Sequence, residues 1–206
     1  SVSFFNSRRS DVVSKNGIVA TSQPIAAQVG LRILQDGGNA VDAAVGTAAA
    51  LNVLEPMSTG IGGDMFALMW LADSKKVVAV NGSGRSAIQA DPEYVLGKGY
   101  PSIPTEGPDS ALAVSVPGTV DGWQMCLDLY GTMEMNRVLR DPIKYAKEGF
   151  AVSDVISDAW QSSEVKLRYR ASGGEMLPGG SAPRHGDIVS LKTLANSLTQ
   201  IAEGGA

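Results

Sequence analysis

From residue 40 to residue 53 the chain is alanine, valine, leucine and one glycine, interrupted only by Asp42, Thr47 and Asn52. Asn39 stands just before this run, where its side chain can accept from the orphan N–H groups of a helix start. A helix so apolar has no face to offer water and is buried on most sides. Its small residues permit close packing on a sheet. Pro56 ends it, because proline cannot continue the hydrogen-bond ladder. Any fold for this chain has to supply layers around that helix.

The flanking patterns suggest what those layers are. Thr21-Ser22-Gln23-Pro24 is a helix start, with a capping side chain and a proline suited to the first turn. Ile25, Val29 and Ile33, with Ala26, Gly30 and Leu34, then line one side as far as the stop at Asp36-Gly37-Gly38. Residues 66–71 and 76–81, joined by Ala72-Asp73-Ser74-Lys75, read as an antiparallel hairpin. Both arms are apolar almost throughout, which predicts cover on both faces. A Pro- and Gly-rich stretch, 98–109, leads to a further apolar run, 111–116. That run reads as the strand side of a strand-to-helix turn at Pro117-Gly118, with helix continuing to about residue 130. Further helices are expected from Asp141-Pro142 to Gly149, from a Ser153 cap toward Arg168, and from an Asp187 cap over 188–202. Residues 171–181 are too rich in glycine and proline for regular structure. There is no internal repeat.

With 206 residues, 44% hydrophobic and 18% charged, the chain can bury a core and suits one or two domains rather than a disordered tail. A net charge of -4 gives no footprint for nucleic acid. The one cysteine, Cys126, and the one histidine, His185, exclude an internal disulfide and a zinc site of clustered Cys and His. A carboxylate-bound cation stays open on these grounds, but nothing calls for a metal or cofactor. His185 lies in a loop-like run without an orienting partner and reads as a surface residue. No apolar run reaches the ~18 residues a membrane-spanning helix needs. The first residues show no basic segment leading into an apolar one, and the compartment is left open between cytoplasm and export with a signal removed.

Three segments have the character of a site. Met57-Ser58-Thr59-Gly60-Ile61-Gly62-Gly63-Asp64-Met65 joins the buried helix to the first strand, and its glycines permit positive φ and uncovered N–H donors. Gly60, Gly62, Gly63 and Asp64 are therefore candidate pocket residues, with tight packing as the plain alternative. The loop leaves a helix and enters a strand, so it is neither a dinucleotide fingerprint nor a P-loop. Asn81-Gly82-Ser83-Gly84-Arg85-Ser86 follows the second strand and holds an arginine whose planar fork matches a carboxylate, although such an arginine taken alone is commonly a solvated charge. The turn at 114–122 reads as structural. Asp42, Glu55 and Asp64 show no spacing that demands acid–base work.

Taken in order, these segments resemble the γ-glutamyltransferase family. The resemblance rests on residues 17–24, on 33–45 with its Asp36-Gly37-Gly38-Asn39-Ala40-Val41-Asp42-Ala43-Ala44 core, and on 55–66 around Gly60-Ile61-Gly62-Gly63. Asn81 to Arg85, Ser115-Val116-Pro117-Gly118 and Ile201-Ala202-Glu203-Gly204-Gly205 continue it. It spans nearly the whole chain. It implies an α/β (α+β) fold of the N-terminal-nucleophile hydrolase type, an αββα sandwich of which residues 1–206 supply a single incomplete domain, the N-terminal portion of a large subunit. It further implies a precursor that cuts itself, and a partner small subunit whose freed N-terminal threonine attacks a small-molecule γ-glutamyl amide, with its own α-amine as base. The acyl-enzyme then passes to water or an acceptor amine. No catalytic residue is expected in this chain, which should be inert alone, and Arg85 falls on the position that binds the substrate's α-carboxylate.

Two departures matter. Many transpeptidases carry an aromatic residue before the arginine and an acidic one after it, whereas Gly84 and Ser86 stand here, as in the acylase-like and hydrolase-like branch. Asp64 stands where a glycine is common. The alternatives are a cephalosporin or glutaryl acylase of the same fold, with Arg85 on the distal carboxylate, and a non-catalytic carboxylate-binding domain.

Overall fold

The computed structural model describes residues 11–105, 109–168 and 173–206. Helix α1 (Pro24–Gln35) begins at Gln23, whose side chain accepts from the Ile25 and Ala26 amides, and buries Ala26, Val29 and Ile33. Helix α2 (Ala40–Leu54) is the interior element its composition demands. Val45, Ala49, Ala50, Val53 and Leu54 are all buried. The two helices pack closely at Gly46, where a Cβ would fall 2.2 Å from Ile33 Cδ1. Asn39 and Asp42 close a reciprocal capping box at the start of α2. Asp42, fully buried, also accepts from the Thr132 and Met133 amides and from Thr132 Oγ1 at 2.6 Å. Its carboxylate is a structural staple between α2 and the 131–133 turn.

The hairpin forms as expected, with β1 (Met65–Leu71) antiparallel to β2 (Lys76–Gly82), Met65 opposite Gly82 and Trp70 opposite Val77. Lys75 takes a positive φ in its turn. The expectation of cover on both faces does not hold within the described residues. Met65, Ala67, Met69 and Val80 turn toward the core, but Phe66, Leu68, Trp70 and Val77 are 70%, 79%, 62% and 65% exposed. The inner face has helix α4 (Thr119–Tyr130) to lie on, and among the described residues no layer lies on the outer face.

Helix α3 (Pro92–Gly97), capped by Asp91, precedes the segment expected as a strand. Residues 110–113 instead form a short 3-10 turn, Ser110–Ala113, and Val114 and Val116 are exposed. The apolar run has no strand beside it among the described residues, and β propensity without a pairing edge makes no strand. Helix α4 buries Trp123, Cys126 and Leu127.

Helices α5 (Met135–Val138) and α6 (Arg140–Glu148) pack on α2 and on the last helix, α9 (Lys192–Gly204). Strand β3 (Phe150–Ala151) follows, then α7 (Asp154–Arg168) and α8 (Gly173–Met176). The supposed loop 171–181 is more ordered than expected. Beyond residues 171 and 172, which are not described, it contains α8 and a 3-10 turn, Pro178–Gly180, anchored by Trp160 Nε1 donating to the Met176 carbonyl at 2.7 Å. Asp187 does not cap the last helix. Its Oδ2 accepts from the Arg184 amide, strand β4 (Ile188–Val189) pairs with β3, and α9 starts only at Lys192. Among the described residues no helix is long and apolar enough to cross a membrane.

Candidate functional site

Three segments far apart in sequence converge beside the hairpin's base: 63–64 entering β1, 83–85 leaving β2, and 115–119 leading into α4. The Gly63 carbonyl accepts from both the Gly118 and Thr119 amides at 3.0 Å, tying the glycine loop to the start of α4. The Val116 amide donates to the Arg85 carbonyl at 2.8 Å. Asp64 Oδ1 accepts from the Gly84 amide at 3.1 Å and from Ser115 Oγ at 2.8 Å. Asn81 Oδ1 accepts from the Ser83 amide and shapes the turn out of β2. Only glycine fits at 84, since an ideal Cβ there would lie 1.5 Å from the Val116 carbonyl oxygen.

The convergence leaves an open cleft of about 280 Å³ bounded by Ser83, Arg85, Val116, Pro117 and Asp121. Arg85 is exposed and forms no ion pair or side-chain hydrogen bond among the described residues, so its guanidinium is free to meet an anion. The Asp64 carboxyl is held below the usual carboxylate range, first by the Gly84 N–H and then by the Ser115 hydroxyl, with Ser83 adding to them. It stays an ionised acceptor at neutral pH.

The glycine loop plays a different part from the one expected of it. None of Gly60, Gly62 and Gly63 has a positive φ or lines the cleft. Gly63 donates to the Gly60 carbonyl in a turn, and a Cβ at Gly60, Gly62 or Gly63 would meet nothing closer than 3.4 Å, so neither left-handed backbone nor close packing explains these glycines. Asp64 is drawn to the cleft through its bonds to Gly84 and Ser115. The 114–122 turn, read as structural, supplies Val116, Pro117 and Asp121 as one wall. Its one signal in sequence was Pro117-Gly118 between an apolar run and a helix.

The described residues also bear on catalysis. Cys126 is buried and burial pushes its thiol up, the opposite of what a nucleophile needs. His185 is exposed, as expected of a surface residue. No group of three or more His, Cys, Asp or Glu among the described residues could hold a metal ion.

The fold is part of an N-terminal-nucleophile hydrolase fold. Residues 26–206 match the family model for gamma-glutamyltranspeptidase, and the chain belongs to that family. It is 36% identical over 194 residues to the glutathione hydrolase proenzyme of Bacillus subtilis (strain 168), covering 94% of this chain and 33% of that protein. It is 33% identical to the acylase ACY 1 proenzyme of Pseudomonas sp. (strain V22), covering 99% of this chain and 38% of that one. The gamma-glutamyltranspeptidase of Helicobacter pylori superposes with a TM-score of 0.87 at 31% identity, over 95% of this chain and 56% of that chain. The chain thus spans about a third of the length of these curated relatives.

Proposed function

We propose that residues 1–206 are the N-terminal portion of the large subunit of a γ-glutamyl hydrolase or transferase acting on glutathione-like γ-glutamyl amides. The observation that carries this reading is Arg85: a guanidinium with no ion pair among the described residues, on a backbone tied to two other segments, at the mouth of an open cleft. A guanidinium matches a carboxylate with two parallel N–H···O bonds. It would fix the donor's α-carboxylate and so set where the γ-amide carbon lies, which is the orienting part of catalysis. The nucleophile would be the N-terminal threonine of a small subunit outside this chain. Its hydroxyl attacks the amide carbon while its α-amine takes the proton and then delivers it to the departing amine. The resulting ester is released by water or by an acceptor amine. That the curated relatives are proenzymes supports a partner made by cleavage.

The bare outer face of the hairpin supports the same reading. Phe66, Leu68, Trp70 and Val77 form a contiguous apolar surface suited to a covering layer from the remainder of the precursor. A second reading, a glutaryl or cephalosporin acylase, is favoured by the acylase relative and by Gly84 and Ser86 flanking Arg85. A non-catalytic carboxylate-binding domain is the third.

The test is to assay the intact precursor on γ-glutamyl-p-nitroanilide and glutaryl-p-nitroanilide, with intact mass measured on the same material. A second polypeptide beginning with threonine, faster release from the γ-glutamyl substrate and an inert chain 1–206 are expected. Faster release from the glutaryl substrate would favour the acylase. An uncleaved precursor without turnover would leave the binding domain. Turnover by chain 1–206 alone would refute the assignment of chemistry to a partner.

A further inference from the structure

We infer that Asp64 is a positioning residue for substrate binding: by accepting from the Gly84 amide and the Ser115 hydroxyl, it fixes the backbone from which Arg85 reaches the substrate's carboxylate. This rests on the reading of Arg85 as the group that holds that carboxylate. Both donors meet one oxygen, Oδ1, and they come from segments 20 and 51 residues away in sequence. One side chain therefore joins the start of β1, the exit from β2 and the approach to α4.

The placement acts on Arg85 from both sides. Asp64 holds the amide of the residue before it, and the Val116 amide holds the Arg85 carbonyl itself. Because Ser115 and Val116 are adjacent, the Asp64 carboxylate and the Val116 N–H grip residues 84–85 and 115–116 as one unit. Gly84 lies too close to the Val116 carbonyl to shift inward. The freedom left at residue 85 is that of its side chain, the part a ligand would order.

Charge adds a second reason for aspartate. A free carboxylate near an arginine tends to pair with it and would compete with an anionic ligand. Asp64 Oδ1 instead takes two donors, and no ion pair joins Asp64 to Arg85. A glycine at 64 would supply neither bond. An asparagine would keep the acceptor oxygen but lose the charge that makes hydrogen bonds to it roughly twice as strong.

The test is a double-mutant cycle in the intact, processed enzyme, with KM and kcat read separately on whichever of the two p-nitroanilides the enzyme turns over. Arg85→Ala is expected to raise KM on the order of a hundred-fold, the scale for truncating one partner of a charge pair. Asp64→Ala is expected to raise KM roughly ten-fold, the scale of hydrogen bonds to a charged group, with kcat changed much less. Ser115→Ala should show a smaller rise and Asp64→Asn partial rescue. In the Arg85→Ala background the Asp64→Ala effect on KM should vanish. If the two effects multiply independently, or if Asp64→Ala lowers kcat and leaves KM alone, the inference is wrong while the reading of Arg85 stands. If Arg85→Ala leaves KM unchanged, that reading is wrong and the inference goes with it. Should Asp64→Ala fail to fold, Ser115→Ala and Asp64→Asn carry the same cycle with the same opposing outcomes.

Discussion

Helix α2 and the β1–β2 hairpin are nearly equal in apolar character and opposite in fate. The helix is enclosed by α1, α4, α5 and α6 of its own chain, and six of its apolar residues are buried. The hairpin is enclosed on one face, and its other face presents Phe66, Leu68, Trp70 and Val77 to solvent. Hydrophobicity along a sequence records that a surface is to be covered; it does not record which chain, or which part of a precursor, covers it.

The comparison can be broken hardest at the closed side. Asp42→Ala strips the buried acceptor from the Asn39, Thr132 and Met133 amides and from the Thr132 hydroxyl. A loss of about 3 to 5 kcal/mol in denaturant unfolding is expected, because several buried donors are orphaned together. Trp123→Ala, a cavity in the same core, should cost about 3 to 5 kcal/mol by the same measurement. On the open side, Leu68→Ser should change the unfolding free energy of the isolated chain by less than about 0.5 kcal/mol. In the intact precursor it should reduce assembly or self-cleavage, read by gel and intact mass. A large loss already in the isolated chain would show that this face is covered from within.

The smallest effect is one of pH. The carboxyl of Asp64 is lowered by the Gly84 amide and Ser115, and that of Glu164 by the Ala182 amide and then Arg168. A folded-state pKa below the unfolded one gives stability that is present above the ordinary carboxylate range and lost as pH falls through the lowered value. Both groups are exposed to solvent screening, so each contribution is small. Tm followed from neutral pH to about pH 3 should decline, and Asp64→Asn with Glu164→Gln should flatten that decline. An unchanged slope would show that the bonds do not outlast exposure.

The elements written in short-range chemistry were legible. Gln23 and Asn39 cap the helices they precede, Pro56 lies beyond the end of α2, and the hairpin runs through its predicted turn. What failed depended on partners distant in sequence. The 111–116 run has no neighbouring strand among the described residues, Ile188 and Val189 prefer β3 to a helix, and Trp160 orders a Gly- and Pro-rich stretch from the side. The site divides in the same way. Arg85, at the end of a Gly-Ser-Gly turn, was visible as an anion-binding candidate, whereas its coupling to Asp64 and Ser115 exists only once residues 20 and 51 positions apart are brought together.

Cys126 has one consequence of practical use. It is the sole thiol in the sequence, and it is buried in the core with its thiolate disfavoured. While folded, the chain should therefore react slowly with thiol reagents at neutral pH. A cysteine introduced at position 68 would be the one exposed thiol of residues 1–206, and its rate of labelling would read whether the hairpin's outer face is covered.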